Sequence, residues 1–186
     1  MTATPTPLRG LLLLDPKVFS DERGFFYESY NIHVFQKLGI EAAFVQDNVS
    51  RSVKGVLRGL HYQIEPAAQG KLVRVAYGEV LDVCVDIRIG SPTFGKWHSE
   101  VLSAQNKKML WIPAGFAHGF LTLSDEAEFT YKVTHVYSPQ HDRCLVYNDA
   151  DVGIVWHDIG VPFLLSEKDK NGKRLRELET NFTYAP

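Results

Sequence analysis

Apolar residues in this chain cluster in short runs, and only one stretch carries them at helical spacing. From Phe44 to Val136 the runs are rich in β-branched and aromatic residues and are broken by turn residues. They predict strands at 44–50, 56–63, 72–77, 80–87, 97–102, 108–112, 119–123 and 128–135, with turns at Gly78-Glu79, Gly90-Ser91-Pro92 and Ser124-Asp125. Before them, 8–14 reads as a first strand, and Asp21-Glu22-Arg23-Gly24 as a turn into the strand-like aromatic run Phe25-Phe26-Tyr27. The helical stretch starts at Asn31, an N-cap residue, sets Ile32, Phe35 and Leu38 on one face, and stops at Gly39. Residues 1–7 are rich in Thr and Pro and are expected to be disordered; 166–179 is polar, helical at best and interrupted by Gly172. Many short strands with frequent turns predict an all-β sandwich or barrel with short peripheral helices.

Composition narrows this further. The 186 residues suit one domain spanning 1–186, with no internal repeat or linker. A net charge of −2 gives no general reason to expect a nucleic acid or a membrane as partner. No apolar run approaches the ~20 residues of a membrane span, and Leu11 to Leu14 lacks the flanks of a signal peptide. Two cysteines make no disulfide framework, and Cys84 lies in a strand-like run as a reduced core residue. A cytoplasmic protein is expected. The glycosylation patterns at Asn48-Val49-Ser50 and Asn181-Phe182-Thr183 therefore carry no weight.

Candidate chemistry concentrates between Gly55 and Gly78, where Arg58, His61, Lys71 and Arg74 sit on two apolar strands. His61 alone in that stretch changes charge near neutral pH at its ordinary pKa. If the two strands pair, Lys71 lies close to the imidazole. Arg58 and His61 are three apart, which sends them to opposite faces of an ideal strand. Either Gly59 marks a bulge or one of the two serves another surface.

Gly55, five residues and His61 resemble the first half of the cupin motif, and Pro113-Ala114-Gly115-Phe116-Ala117-His118 resembles the second. The resemblance implies a cupin-type jelly roll, a double-stranded β-helix. Gln63 replaces the motif's second His, and Lys71 its Glu. His61 and His118 alone make a poor metal site, which needs three or more ligands. The expectation is no metal and no cofactor, with the Lys71 ammonium stabilising an oxyanion instead. Metal added to the purified protein should leave activity unchanged; a stoichiometric, activity-restoring metal would contradict this.

Seven blocks in order narrow the resemblance: 21–26, 44–48, 56–63, 69–74, 91–95, 111–120 and 165–169. Together they resemble the dTDP-4-dehydrorhamnose 3,5-epimerases. That resemblance implies inversion at C3 and C5 of dTDP-4-dehydro-6-deoxy-glucose, with a base, an acid on the opposite face and a positive group at the enolate oxygen. It implies His61 as the base, Asp169 as its orienting partner, Tyr131 as the acid and Lys71 at the oxygen. By local sequence, Asp169 also fits a helix capping box with Ser166, Tyr131 a core aromatic and Lys71 a solvated strand residue. The resemblance further implies diphosphate and sugar contacts from Arg23, Arg58, His118 and Lys168, thymine stacking on Tyr137, and binding roles for Glu28, Gln46, Asp47, Asn48 and Asp142. Asp142 stands where relatives often carry Glu. The family's homodimer, with the Arg23 region reaching the neighbour's site, is implied in the same way. Two alternatives stay open: a relative inverting a single centre, and a sugar-nucleotide binding protein without activity. The retained His61, Tyr131 and Asp169 argue against the second.

Overall fold

The computed structural model describes residues 1–185; Pro186, the last residue of the expected domain, lies outside them. The strands are β1 (Thr2–Pro5), β2 (Leu12–Asp15), β3 (Phe19–Asp21), β4 (Gly24–Phe26), β5 (Gln46–Val53), β6 (Leu57–Gln63), β7 (Lys71–Tyr77), β8 (Glu79–Asp86), β9 (Trp97–Ser103), β10 (Met109–Ile112), β11 (Phe116–Thr122), β12 (Glu126–Val133) and β13 (Asp142–Cys144). Two short helices accompany them, α1 (Ile32–Lys37) and α2 (Glu167–Lys170). A six-stranded sheet runs β1-β2-β10-β7-β12-β5, and a five-stranded sheet β13-β6-β11-β8-β9. Every pairing between these strands is antiparallel. The fold is a cupin-type jelly roll, as the motif resemblance implies.

Consecutive strands β7 and β8 lie in different sheets, so the chain changes layer at Gly78. Its φ is +75°, and a Cβ there would lie 2.0 Å from the Glu126 carbonyl oxygen, so only glycine fits. Between the sheets Val73, Val75, Val80, Cys84, Phe116, Phe120 and Phe129 form the inner core. The alternate residues of β8, Leu81, Val83 and Val85, point to the other side. There the C-terminal segment covers them with Ile154, Trp156, Phe163, Leu165 and Phe182. Cover on both faces explains the nearly unbroken apolar run of β8.

Several sequence expectations change. Residues 1–7 are not a free tail: β1 pairs with β2 from Thr2↔Asp15 to Pro5↔Leu12. The leucine run, expected as a strand from Leu8, turns first, with the Leu11 N–H donating to the Leu8 carbonyl, and β2 begins at Leu12. Asn31 caps α1 as predicted, accepting from the His33 and Val34 N–H groups, and Phe35 is buried. Ile32 is 48% exposed and does not share its burial. The stretch 166–179 holds α2 and one 3-10 turn, Leu175–Glu177. Among the described residues no helix is long and apolar enough to cross a membrane.

Candidate active site

Gly59 resolves the parity of Arg58 and His61. His118 pairs with His61 and Phe120 with Arg58, so β6 takes three steps where β11 takes two. The extra residue is a bulge. Gly59 sits at φ +125°, and a Cβ on it would lie 2.5 Å from the Gly119 Cα. The two backbones can meet only because both residues are glycine. The bulge turns Arg58, His61 and Gln63 to the inner face. There Arg58 and His61 line a cavity of about 200 Å³ together with Lys71, His118, Tyr131 and Tyr137.

His61 is held from behind. Its Nε2 lies 2.6 Å from Asp169 Oδ1, which also accepts the Gly59 N–H at 3.2 Å. Asp169 Oδ2 accepts the Ser166 hydroxyl at 2.6 Å, while Ser166 Oγ accepts the Asp169 N–H at 3.2 Å. The capping box and the orienting carboxylate are therefore one arrangement: Ser166 fixes Asp169, and Asp169 fixes the imidazole. Burial opposes the charge on Asp169, but hydrogen bonds from His61, Ser166 and Gly59 outweigh it and bring the carboxyl down to about 2 from 3.8. A depressed carboxyl stabilises the fold fully above its unfolded value, and the gain disappears as pH falls from about 4 towards 2. The contribution is about 2 kcal/mol. Between pH 5 and pH 2, wild type should lose about that much more stability than Asp169→Asn in denaturant titrations. Parallel losses would remove the assignment.

Lys71 is buried on the inner face of β7 and donates from Nζ to the His61 carbonyl oxygen at 3.0 Å. It is thus not the solvated strand residue that its local sequence allows. Burial drives its ammonium down to about 8, against the pull of Cys84, Asp142 and Asp82. His118 faces Asp82, with Nε2 2.9 Å from Oδ2 and 3.1 Å from Oδ1. Burial lowers the His118 pKa, and Asp82 counters it. Asp82 is fully buried and was not among the sequence-predicted site residues. The available signal was a carboxylate at an inward position of an otherwise apolar strand, which a buried site must explain.

Tyr131 is half-buried on β12, packed against Phe129, and burial raises its pKa. At the mouth, the Tyr137 phenol donates to Asp142 Oδ2 at 2.9 Å, and Lys168 pairs with the same carboxylate. Arg58 donates from Nε to Ser52 Oγ at 3.1 Å.

Other expected binding residues do not reach this cavity. Arg23 lies on the exposed β3–β4 hairpin, paired with Asp21. Glu28 accepts from Asn31 Nδ2 at 3.0 Å beside α1. Asp47 points outward to Lys132 at 2.8 Å. Gln46 and Asn48 take the inward positions of β5, joined to each other at 2.8 Å, and Gln46 reaches the Tyr137 N–H at 3.0 Å. The sequence blocks carry these residues, but pairing within one chain separates them.

Among the described residues two groups gather three metal-capable atoms within 4.8 Å: His61, Cys144 and Asp169, and Asp82, Cys84 and His118. Metal ligands must be free and deprotonated. Here each imidazole Nε2 is taken by its carboxylate, and burial raises both thiols, Cys144 to about 12. Neither set fits a metal.

Fold and comparison with known proteins place the chain among the cupin-type sugar-nucleotide isomerases. The family model of dTDP-4-dehydrorhamnose 3,5-epimerase matches residues 5–177, and the chain belongs to that family. The Pseudomonas aeruginosa enzyme of that name is 56% identical over 180 residues, covering 96% of this chain and 98% of the relative. The crystal structure of a dTDP-6-deoxy-D-glucose-3,5-epimerase from Legionella pneumophila, in complex with dTDP-4-keto-L-rhamnose, superposes with a TM-score of 0.92 at 50% identity, covering 96% of this chain and 94% of that one. A 3′-monoepimerase from Streptomyces bikiniensis, in complex with dTDP-quinovose, is more distant in sequence: 34% identity, TM-score 0.88, 93% and 87% covered.

Proposed function

We propose that the chain inverts C3 and C5 of dTDP-4-dehydro-6-deoxy-glucose, in dTDP-L-rhamnose or a related deoxysugar biosynthesis, with the residues of this cavity in the following roles. The carbon acids flank the C4 ketone, so loss of either proton gives an enolate, and no redox partner is required. His61 takes the proton on the ring nitrogen not engaged by Asp169, and Asp169 stabilises the imidazolium that results. The Lys71 ammonium, itself buried, stabilises the oxygen on C4 as it gains charge. Tyr131 returns a proton from the opposite face, which inverts the centre; solvent then resets Tyr131 and His61. Arg58, His118 and Lys168 take the diphosphate and sugar, and Tyr137 stacks on thymine, Asp142 holding its phenol. The observation that carries this reading is the pairing of His61 with a buried carboxylate in the same cavity as a buried lysine and a tyrosine.

Arg23, and Glu28 just beyond its hairpin, enter this scheme through a homodimer in which one protomer's hairpin extends towards its partner's site; Asp47 and Asn48, on β5, take their binding roles beside Gln46. Phe25 and Phe26, 59% and 65% exposed on that hairpin, support such a contact.

Proton NMR of the substrate with the protein in heavy water tests the proposal. Loss of signal at both C3 and C5 is expected. Loss at one carbon would make this a single-centre enzyme, a reading that the fold shared with the monoepimerase keeps open. Binding without exchange would overturn the catalytic roles.

A further inference from the structure

Gln63 lies two residues beyond His61 on the inner face of β6 and is 3% exposed. Its carboxamide is fully engaged. Nε2 donates to the Ala67 carbonyl at 2.7 Å and to the Val136 carbonyl at 3.3 Å, and Oε1 accepts the Ser138 N–H at 2.7 Å. Tyr137 stands between the two loop residues it grips. Two further glutamines hold the same loop: Gln46 Oε1 accepts the Tyr137 N–H at 3.0 Å, and Gln69 Nε2 donates to the His135 carbonyl at 2.7 Å. The far end of the tyrosine is tied by its phenol to Asp142.

The ring so restrained is 55% exposed. Ordering a side chain costs conformational entropy, and burial usually offsets it. Here little burial does so. A rigid, exposed aromatic face at a cavity mouth gains instead when a flat ligand lands on it, because less freedom remains to be lost on binding.

We propose that Gln63 is a positioning residue for substrate recognition: it fixes the 136–138 loop so that Tyr137 is a preformed stacking face for the nucleotide base. This rests on the stacking role given to Tyr137 above. An amide is needed because the position must donate to two carbonyls and accept from an N–H at once. Glutamate would set oxygen against the Val136 and Ala67 carbonyls, and leucine would leave the Ala67 carbonyl and the Ser138 N–H without their partner and the Val136 carbonyl with His135 Nδ1 alone. The position that carries the second histidine of the cupin motif thus serves binding in this chain.

Titration calorimetry with dTDP, together with steady-state kinetics, tests this on Gln63→Leu, Tyr137→Ala and the double variant, each checked for folding by thermal melting. Base–aromatic stacking sets the scale. Gln63→Leu should weaken dTDP binding and raise KM about 10-fold, with kcat within about 2-fold of wild type. In the Tyr137→Ala background it should add no further loss of affinity. Should Gln63→Leu not fold, Gln46→Leu removes the acceptor of the Tyr137 N–H and should show the same non-additivity. Unchanged affinity in the folded variant, or a loss that adds fully to that of Tyr137→Ala, would overturn the role of Gln63 alone. Unchanged affinity in Tyr137→Ala would overturn the stacking role and the Gln63 proposal together.

Discussion

His61→Ala is expected to stop solvent exchange at both C3 and C5 and to lower kcat about 10³-fold, the scale of a general base removed from a carbon-acid reaction. In the proposed scheme one imidazole serves both carbons, each of which lies beside the same ketone. The loss should be nearly confined to kcat. Gln63 and Gln46 hold the Tyr137 side of the cavity, the nucleotide side in the proposed scheme, and neither hydrogen-bonds the His61 ring. Affinity for dTDP should therefore stay within about 2-fold of wild type, because the proposed scheme gives base stacking to Tyr137 and not to His61. Full exchange at either carbon in the variant would refute the assignment.

Lys71→Met is expected to cost about 10²- to 10³-fold in kcat, the scale for removing a preorganised group from a developing oxyanion. Its pH signature separates it from a packing defect. The buried ammonium titrates at about 8, so the cation is present below that pH and is lost as pH rises through it. kcat/KM of wild type should fall on the alkaline side near pH 8, because that profile reports the free enzyme. The limb should be absent in Lys71→Met. A limb that persists would belong to another group, and Lys71 would lose its role.

The strands were legible where one face is buried, because the period of two then survives in the sequence. Strand β12 is such a case, with Ala127, Phe129 and Val133 buried and Glu126, Glu128 and Lys132 between and beside them on the other face. Strand β11 was expected to begin at Gly119 but begins at Phe116, which places His118 within the strand. Strands β1 and β13 were missed because three or four residues are too few to display a period. His61 and Lys71 were legible as charged groups on apolar strands. The bulge at Gly59 was legible as one of two options, since spacing alone shows the conflict and pairing settles it. The pairing of Asp82 with His118 and the glutamine grip on the Tyr137 loop were not, because they depend on partners 36 to 91 residues away.

The C-terminal segment that carries Asp169 meets the body of the fold through isolated bridges, Val56↔Leu164, Leu145↔Lys173 and Ile89↔Thr183, and through side-chain packing, with no continuous ladder. Its packing nevertheless seals the outer face of β8, where Leu81, Val83 and Val85 are at most 2% exposed. Lifting the segment would wet that face as well as take the counter-charge from His61. Site and core are thus fastened by one piece of chain, and activity should disappear in the same unfolding transition as the sheets.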